Sequence, residues 1–426
     1  WAPHKKRRET ASFSTERMHF GNRELNRHVE EFDEQSSAVF TRERNPTSRL
    51  NAQNASPDET SLTDISATSA TTSQLNKSAR SRQPISSQRI APMLKHEISL
   101  ICVVEVAYEQ DEVLRPHLPL LLHAAFVAMD HPSSMLHNHA KALLINLVQS
   151  VVLKQLGVLS GSVEDTEDHE KALEVIELLG RKDGPMWALE DISLEDPQVE
   201  SSGEVASLVR RILQVMSSES GLSERWGGEA LRWATTSPSL HISCRSYQIY
   251  RTLCPSVTVE ASVEILGSLS LFMEDPVPAH LGVAMEVLET LMFIVDRLSG
   301  SKLILFPQVF WASVALLHSE FVHLFNAVMG LLMKLIDRMD IASTAAQNVL
   351  FASLPSDWNP PFYGLQPLVL KGLLSPITEE RSHLLIAKLL SVNLDRLVDP
   401  SPSRLALAIT GLLPWIMQQI GAADPV

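Results

Sequence analysis

The chain has 426 residues, 45% of them apolar, which is enough for two or three ordinary domains or one extended repeat array with a sizeable core. Its net charge of -14 is unevenly placed: residues 1–90 carry 14 Lys or Arg against 11 acids, leaving 22 against 39 in the remainder. An acidic folded part disfavours duplex nucleic acid and anionic membrane as general partners.

The first segment, residues 1–90, has no sustained period and is dominated by Ser, Thr, Asn, Gln and Arg, as in Ser66-Ala67-Thr68-Ser69-Ala70-Thr71-Thr72-Ser73. Such a composition cannot bury enough apolar surface to offset the lost chain entropy, so a disordered Ser/Thr/Arg-rich arm is predicted, with a transient helix across Thr15 to Phe32. Within it, Lys5-Lys6-Arg7-Arg8-Glu9-Thr10 reads as solvating charge in preference to a nuclear-import-like patch or a phosphosite at Thr10 for a basic-directed kinase. The chain opens at Trp1 without an initiator Met and ends without a sorting signal, which suggests a piece of something longer. The longest apolar runs, such as Leu118 to Met129 with its interrupting His123, are too short to cross a bilayer, and cytosolic residence is expected by default. Cys102, Cys244 and Cys254 lie in apolar helical patterns without paired spacing, as expected of buried thiols in a reducing compartment.

Helical periodicity begins near Ile90. The spacing predicts helices at about 94–109, 117–130, 133–156, 167–180, 203–218, 222–236, 239–253, 257–274, 277–299, 306–318, 320–340, 343–353, 365–374, 377–398 and 403–419. Asp275-Pro276, Ser375-Pro376 and Asp399-Pro400 each place a capping side chain before a proline suited to a first helical turn. Irregular inserts are predicted at Gly157 to Thr166 and Lys182 to Ser202. The expected architecture is all-α: a HEAT/armadillo-like α-solenoid over 91–354, a Pro-rich connector at 355–367 and a further helical repeat at 368–426.

Two stripes carry that expectation. Along 281–298 the apolar set is Leu281, Ala284, Met285, Leu288, Leu291, Met292, Val295 and Leu298, with Glu286, Glu289 and Asp296 opposite; along 321–339 it is Phe321, Leu324, Phe325, Val328, Leu331, Leu332, Leu335 and Met339. A short pattern also recurs as Val295-Asp296-Arg297-Leu298, Ile336-Asp337-Arg338-Met339 and Leu394-Asp395-Arg396-Leu397, each expected to end a long apolar helix with Leu291, Leu332 or Leu390 ahead of it. Asp beside Arg at a helix end suits a structural ladder between repeats.

Chemistry is sparse. No glycine-rich phosphate loop and no nucleophile elbow occur, and no cofactor or metal is expected. His131, His137 and His139 near Asp130 form the one dense histidine group, but the steps of six and two do not place their ligands on one helix face. Cys244 three residues from His241 reads as a buried thiol. On the 239–253 helix, His241, Arg245, Gln248 and Thr252, bordered by Arg251, lie opposite Ile242, Ile249 and Leu253. This strip is a candidate protein contact; a solvated or repeat-to-repeat face is the blander reading, and it is favoured.

Long Trp-rich motifs carry a family resemblance: Arg115-Pro116-His117-Leu118-Pro119-Leu120-Leu121-Leu122-His123 before Phe126-Val127-Ala128-Met129-Asp130; Trp226 to Ala234; Cys244-Arg245-Ser246 with Gln248-Ile249-Tyr250-Arg251; and Pro307-Gln308-Val309-Phe310-Trp311 leading to Phe321-Val322-His323. Over about Lys95 to Leu354 the chain resembles the Furry family of very large cell-morphogenesis proteins, in their central-to-C-terminal region. The resemblance implies a non-catalytic scaffold that works with NDR-family kinases and their Mob co-activators, in the cytoplasm and at cortical, polarised-growth or microtubule-linked sites. An unrelated armadillo-type adaptor in transport or trafficking is the competing expectation.

Overall fold

The computed structural model describes residues 95–109, 111–154, 167–190, 199–274, 277–341, 343–356, 358, 361–392 and 394–422. The N-terminal arm with Thr10 and the helix expected at Thr15 to Phe32, the whole insert at Gly157 to Thr166, residues 191–198 of the second insert and the Asp275-Pro276 cap lie outside the described residues.

Fifteen helices follow the predicted order: α1 Lys95–Glu109, α2 Leu118–Ala128, α3 Ser134–Val148, α4 Glu167–Arg181, α5 Ser201–Val215, α6 Leu222–Thr236, α7 Leu240–Leu253, α8 Val259–Glu274, α9 Leu281–Arg297, α10 Pro307–Leu316, α11 Val322–Arg338, α12 Thr344–Ala352, α13 Leu365–Val369, α14 Glu379–Ser391 and α15 Arg404–Ala422. Short turns such as Asp111–Leu114 and Gly300–Leu303 join them. Among the described residues there is no strand. From α6 onward two rows alternate. Helices α6, α8 and α10 pack along one row and α7, α9, α11 and α14 along the other, while α6 crosses onto α7, α8 onto α9 and α10 onto α11. Each wide apolar stripe therefore meets both its hairpin partner and the next repeat, which is the packing of an α-solenoid.

Both predicted stripes are core. Leu281, Ala284, Leu288, Leu291 and Val295 of α9 are buried, as are Leu324, Val328, Leu331, Leu332 and Leu335 of α11. Pro278–Arg297 is the one described stretch long and apolar enough to cross a membrane, and most of it is covered by neighbouring helices.

Local chemistry sets the ends. Ser239 accepts from Ile242 N to open α7, and Ser343 accepts from Ala346 N to open α12. Cys254 takes φ 55° at the end of α7 before Pro255 stops the helix. Asp399 caps a turn by accepting from Ser401 N, and Ser375 Oγ accepts from Ile377 N at 3.4 Å in the turn that leads into α14 at Glu379.

Three expectations are corrected here. The third Asp-Arg copy does not end a long helix: α14 stops at Ser391, Leu394-Asp395-Arg396-Leu397 falls at a separate turn, and Leu390 is about one-third exposed, at 37%. Only Cys244 is buried; Cys102 is exposed on α1 and Cys254 is partly exposed at its cap. Glu286 does not face solvent but is buried, for reasons given below. The first two copies do form a ladder. Asp296 pairs with Lys334, Asp337 pairs with Lys388, and Arg338 Nη2 donates to Leu298 O at 3.0 Å, closing the end of the preceding repeat's helix.

Candidate functional site: a polar spine through the stack

Helix α7 is covered on both sides, by α6 on one and by α5 and α9 on the other, so all residues from Ser243 to Tyr250 are buried. Its polar residues must then find partners inside the protein, because an unpaired buried polar group costs about 1–3 kcal/mol and a charge more.

Arg245 is the hub. Its Nε and Nη2 donate to Asp130 Oδ2 at 3.1 and 2.9 Å, Nη1 donates to Gln248 Oε1 at 2.7 Å, and Nη1 and Nη2 reach Ser201 Oγ at 3.2 Å. Its guanidinium also lies 5.8 Å from the Trp187 ring centre. Asp130, just past the end of α2, receives Trp187 Nε1 at 3.1 Å and His241 Nε2 at 2.9 Å on the same oxygen. Burial alone would raise its carboxyl, but the His241 hydrogen bond and the Arg245 charge outweigh it and hold the pKa below the ordinary value.

The chain of bonds continues down the row. Gln248 Nε2 donates to Glu286 Oε1 at 2.6 Å, and Arg251 Nη2 lies 2.5 Å from Glu286 Oε2. Arg251 Nη1 also donates to Glu286 O and Thr290 Oγ1, both at 3.1 Å. Two matched ion pairs, Asp130 with Arg245 and Arg251 with Glu286, are thus bridged by Gln248 and tie α2, α5, α7 and α9 together.

The structure draws all five residues of the candidate strip, His241, Arg245, Gln248, Arg251 and Thr252, into this network between helices, as the favoured repeat-to-repeat reading expects. Arg245 and Gln248 are buried, His241 and Arg251 are turned inward onto Asp130 and Glu286, and Thr252 donates to Gln248 O at 2.9 Å. His241, Arg251 and Thr252 keep a partly exposed edge, while Arg245 and Gln248 are covered by the neighbouring helices. The histidines near Asp130 do not converge either: His137 Nδ1 lies 2.9 Å from His131 O, His139 Nδ1 lies 2.7 Å from Met135 O, and His131 Nδ1 accepts from Ser133 N. Among the described residues no group of three His, Cys, Asp or Glu side chains could hold a metal.

Sequence reasoning missed Trp187, Ser201, Glu286 and Thr290. Trp187 comes from the predicted irregular insert, which Lys141 clamps by donating to Lys182 O and Gly184 O at 2.8 Å, and which Met186 N fastens to Met129 O at 3.0 Å. The adjacent Met186-Trp187 pair within a loop is a signal that could have marked it.

A second buried group lies one turn away. His123 Nε2 is 2.9 Å from Ser246 Oγ, and because that hydroxyl gives its one proton to Ile242 O at 2.6 Å, His123 must carry its proton on Nε2 and donate. Burial is the main reason its pKa is pushed down to about 3; the charge of Glu229 works upward against it and that of Arg232 downward. The ring also meets Trp233 edge-on at 5.2 Å. Trp226 and Phe126 cross edge-on at 5.2 Å beneath it, and Phe126 stacks on Trp187 at 6.0 Å.

Four of the spine residues, Asp130, Arg245, Gln248 and Arg251, belong to the motifs, and comparison with known proteins agrees with the motifs. The family model for the cell morphogenesis central region matches residues 46–282, and that for the cell morphogenesis C-terminal region matches residues 307–425. The chain belongs to the Furry family of cell-morphogenesis proteins. It is 29% identical over 330 residues to cell morphogenesis protein PAG1 of Saccharomyces cerevisiae, across 78% of this chain, and 24% identical over 310 residues to cell polarity protein mor2 of Schizosaccharomyces pombe, across 72% of it. The match covers 13% of the length of each relative. In this Furry-family chain the spine from Asp130 to Arg251 lies within the matched central region and its α9 members Glu286 and Thr290 lie just beyond it, while Trp311, which donates to Leu350 O at 2.9 Å and receives Trp358 and Phe362 edge-on, lies in the C-terminal match.

Proposed function

We propose that this stretch is a non-catalytic scaffold segment of a cell-morphogenesis protein, presenting a helical surface that supports NDR-family kinase signalling with Mob co-activators in polarised growth and cytoskeletal organisation. The observation that carries the reading is where the polar residues go. In the row from α5 to α9 the strongest charged and hydrogen-bonding groups hold helices to one another, which suits a rigid platform whose task is to fix distances between partners. The printed names of the relatives, cell morphogenesis and cell polarity, support the biological setting. Residence in the cytoplasm, at the cell cortex or along microtubules belongs to the same proposal.

Proximity labelling from the full-length protein in growing cells tests it. Enrichment of an NDR-family kinase or a Mob protein supports the reading. Enrichment of coat or cargo proteins without either would replace it with the trafficking-adaptor alternative.

A further inference from the structure

The outer side of α8 has a character that the spine does not explain. Ser262, Ile265, Leu269 and Phe272 turn inward and are buried, so the helix's opposite ridge carries Val263, Gly267 and Leu271, with Val259 at its edge. Val259, Val263 and Leu271 are 56%, 53% and 65% exposed, and a methyl group added at Gly267 would meet nothing within 4 Å, so the ridge has an open notch at its middle. Apolar side chains spaced four apart on a water-facing ridge have no role in the fold's own core.

The charges on α8 itself are all of one sign. Glu260, Glu264 and Glu274 are exposed along it, and α8 contains no basic residue. Among the described residues none of the three carboxylates is ion-paired. Glu264 is the telling member. Its charge acts on the phenols of Tyr247 and Tyr250, and burial of its carboxyl with no compensating cation pushes its pKa above the ordinary value. A carboxylate kept partly dry without a counter-ion is at higher energy than one paired to an incoming cation.

We propose that the Val263-Gly267-Leu271 ridge of α8 docks a basic amphipathic helix from another protein, whose apolar stripe seats over the Gly267 notch and whose Lys or Arg pairs with Glu264 and Glu260. Helix-on-helix seating follows from the four-residue spacing and the small central residue, which lets a second backbone approach closely. The choice of a basic occupant follows from the wholly acidic charge of α8, which repels a second copy of the same face as well as nucleic acid. The ridge belongs to α8 alone, whichever partners the scaffold gathers.

The test uses the full chain and a fluorescein-labelled Leu/Lys amphipathic peptide of about 18 residues, read by anisotropy. Binding to the wild type should weaken about tenfold or more in Leu271→Ser and in Glu264→Gln, should survive in Glu289→Gln, which removes an exposed acid on α9, and should be absent for the matching Leu/Glu peptide. Both α8 changes are at solvent-facing positions, and circular dichroism of each variant checks that the fold is kept. No binding, or binding that falls equally in Glu289→Gln, overturns the proposal by reducing it to generic attraction to an acidic chain. Self-association of the wild type in sedimentation that Leu271→Ser abolishes also overturns it, since the occupant would then be a second copy.

Discussion

Arg245 gives two hydrogen bonds, at 3.1 and 2.9 Å, to a single carboxylate oxygen of Asp130, which lies 115 residues earlier in the chain. Both side chains are almost wholly buried, so neither charge has water to fall back on. A buried pair of this kind adds little net stability over an apolar substitute, but it penalises every arrangement that separates its members. It fixes the register between the end of α2 and the middle of α7, and through Gln248 it passes that constraint to α9.

The first prediction concerns access. With a maleimide under native conditions, Cys102 should be labelled first, Cys254 more slowly, and Cys244 only after denaturant is added, because Cys244 lies on the covered α7. Labelling of Cys244 as fast as Cys102, read by peptide mass spectrometry, would show α7 to be open to solvent.

The second concerns pH. His123 has a folded-state pKa near 3 against an unfolded value of 6.5, so the unfolded chain binds a proton first as pH falls. The stability it confers is complete above pH 6.5 and is lost progressively toward pH 3, at about 1.4 kcal/mol per unit. Relative to His123→Asn, the wild type should lose about 2–3 kcal/mol between pH 7 and pH 4.5 in urea unfolding. Parallel pH profiles for the two proteins would contradict this.

The third separates two adjacent glycines of α6. A Cβ at Gly227 would lie 2.7 Å from Pro255 Cγ, where α6 meets the end of α7, whereas a Cβ at Gly228 meets nothing. Gly227→Ala should cost about 1–3 kcal/mol through overpacking, and Gly228→Ala should be neutral or stabilise by up to about 1 kcal/mol through helix propensity. Thermal melts of the two variants check the order; equal midpoints would remove the close approach.

The fourth compares two tryptophans. Trp226 is fully buried against Phe126, so Trp226→Ala should cost about 3–5 kcal/mol. Trp233 is partly buried and rests on His123 and Glu229, so Trp233→Ala should cost less. Chemical denaturation of both decides it, and the reverse order would contradict the packing described.

The helices were legible because wide apolar stripes such as Leu281 to Val295 satisfy a 3.6-residue period over several turns, and only stacked neighbours can cover faces that broad. The Asp296 and Asp337 ladder was legible for a related reason, since both residues sit at the same register of equivalent helices. The third copy failed because α14 breaks at Ser391, and nothing in the local period near Val392 announces the break. The α7 strip reads like the solvated side of an amphipathic helix, and periodicity cannot tell a polar side facing water from one facing another polar side. Asp130 and Glu286, the partners that decide the matter, lie 115 and 38 residues away from Arg245 and Gln248. Glu286 stands three residues from the exposed Glu289 in the same helix, and the sequence does not tell the two apart.

A double-mutant cycle on Asp130 and Arg245 is the most direct measurement of the claim that the polar strip of α7 holds the stack together from within. Unfolding free energies of the wild type, Asp130→Ala, Arg245→Met and the double variant give the coupling between the two side chains. The structure predicts that each single change costs about 3–5 kcal/mol by stranding a buried charge and that the double change recovers much of it, for a coupling of roughly 2 kcal/mol or more. Single changes that cost less than about 1 kcal/mol and simply add would mean that the two residues face solvent, and would contradict the account.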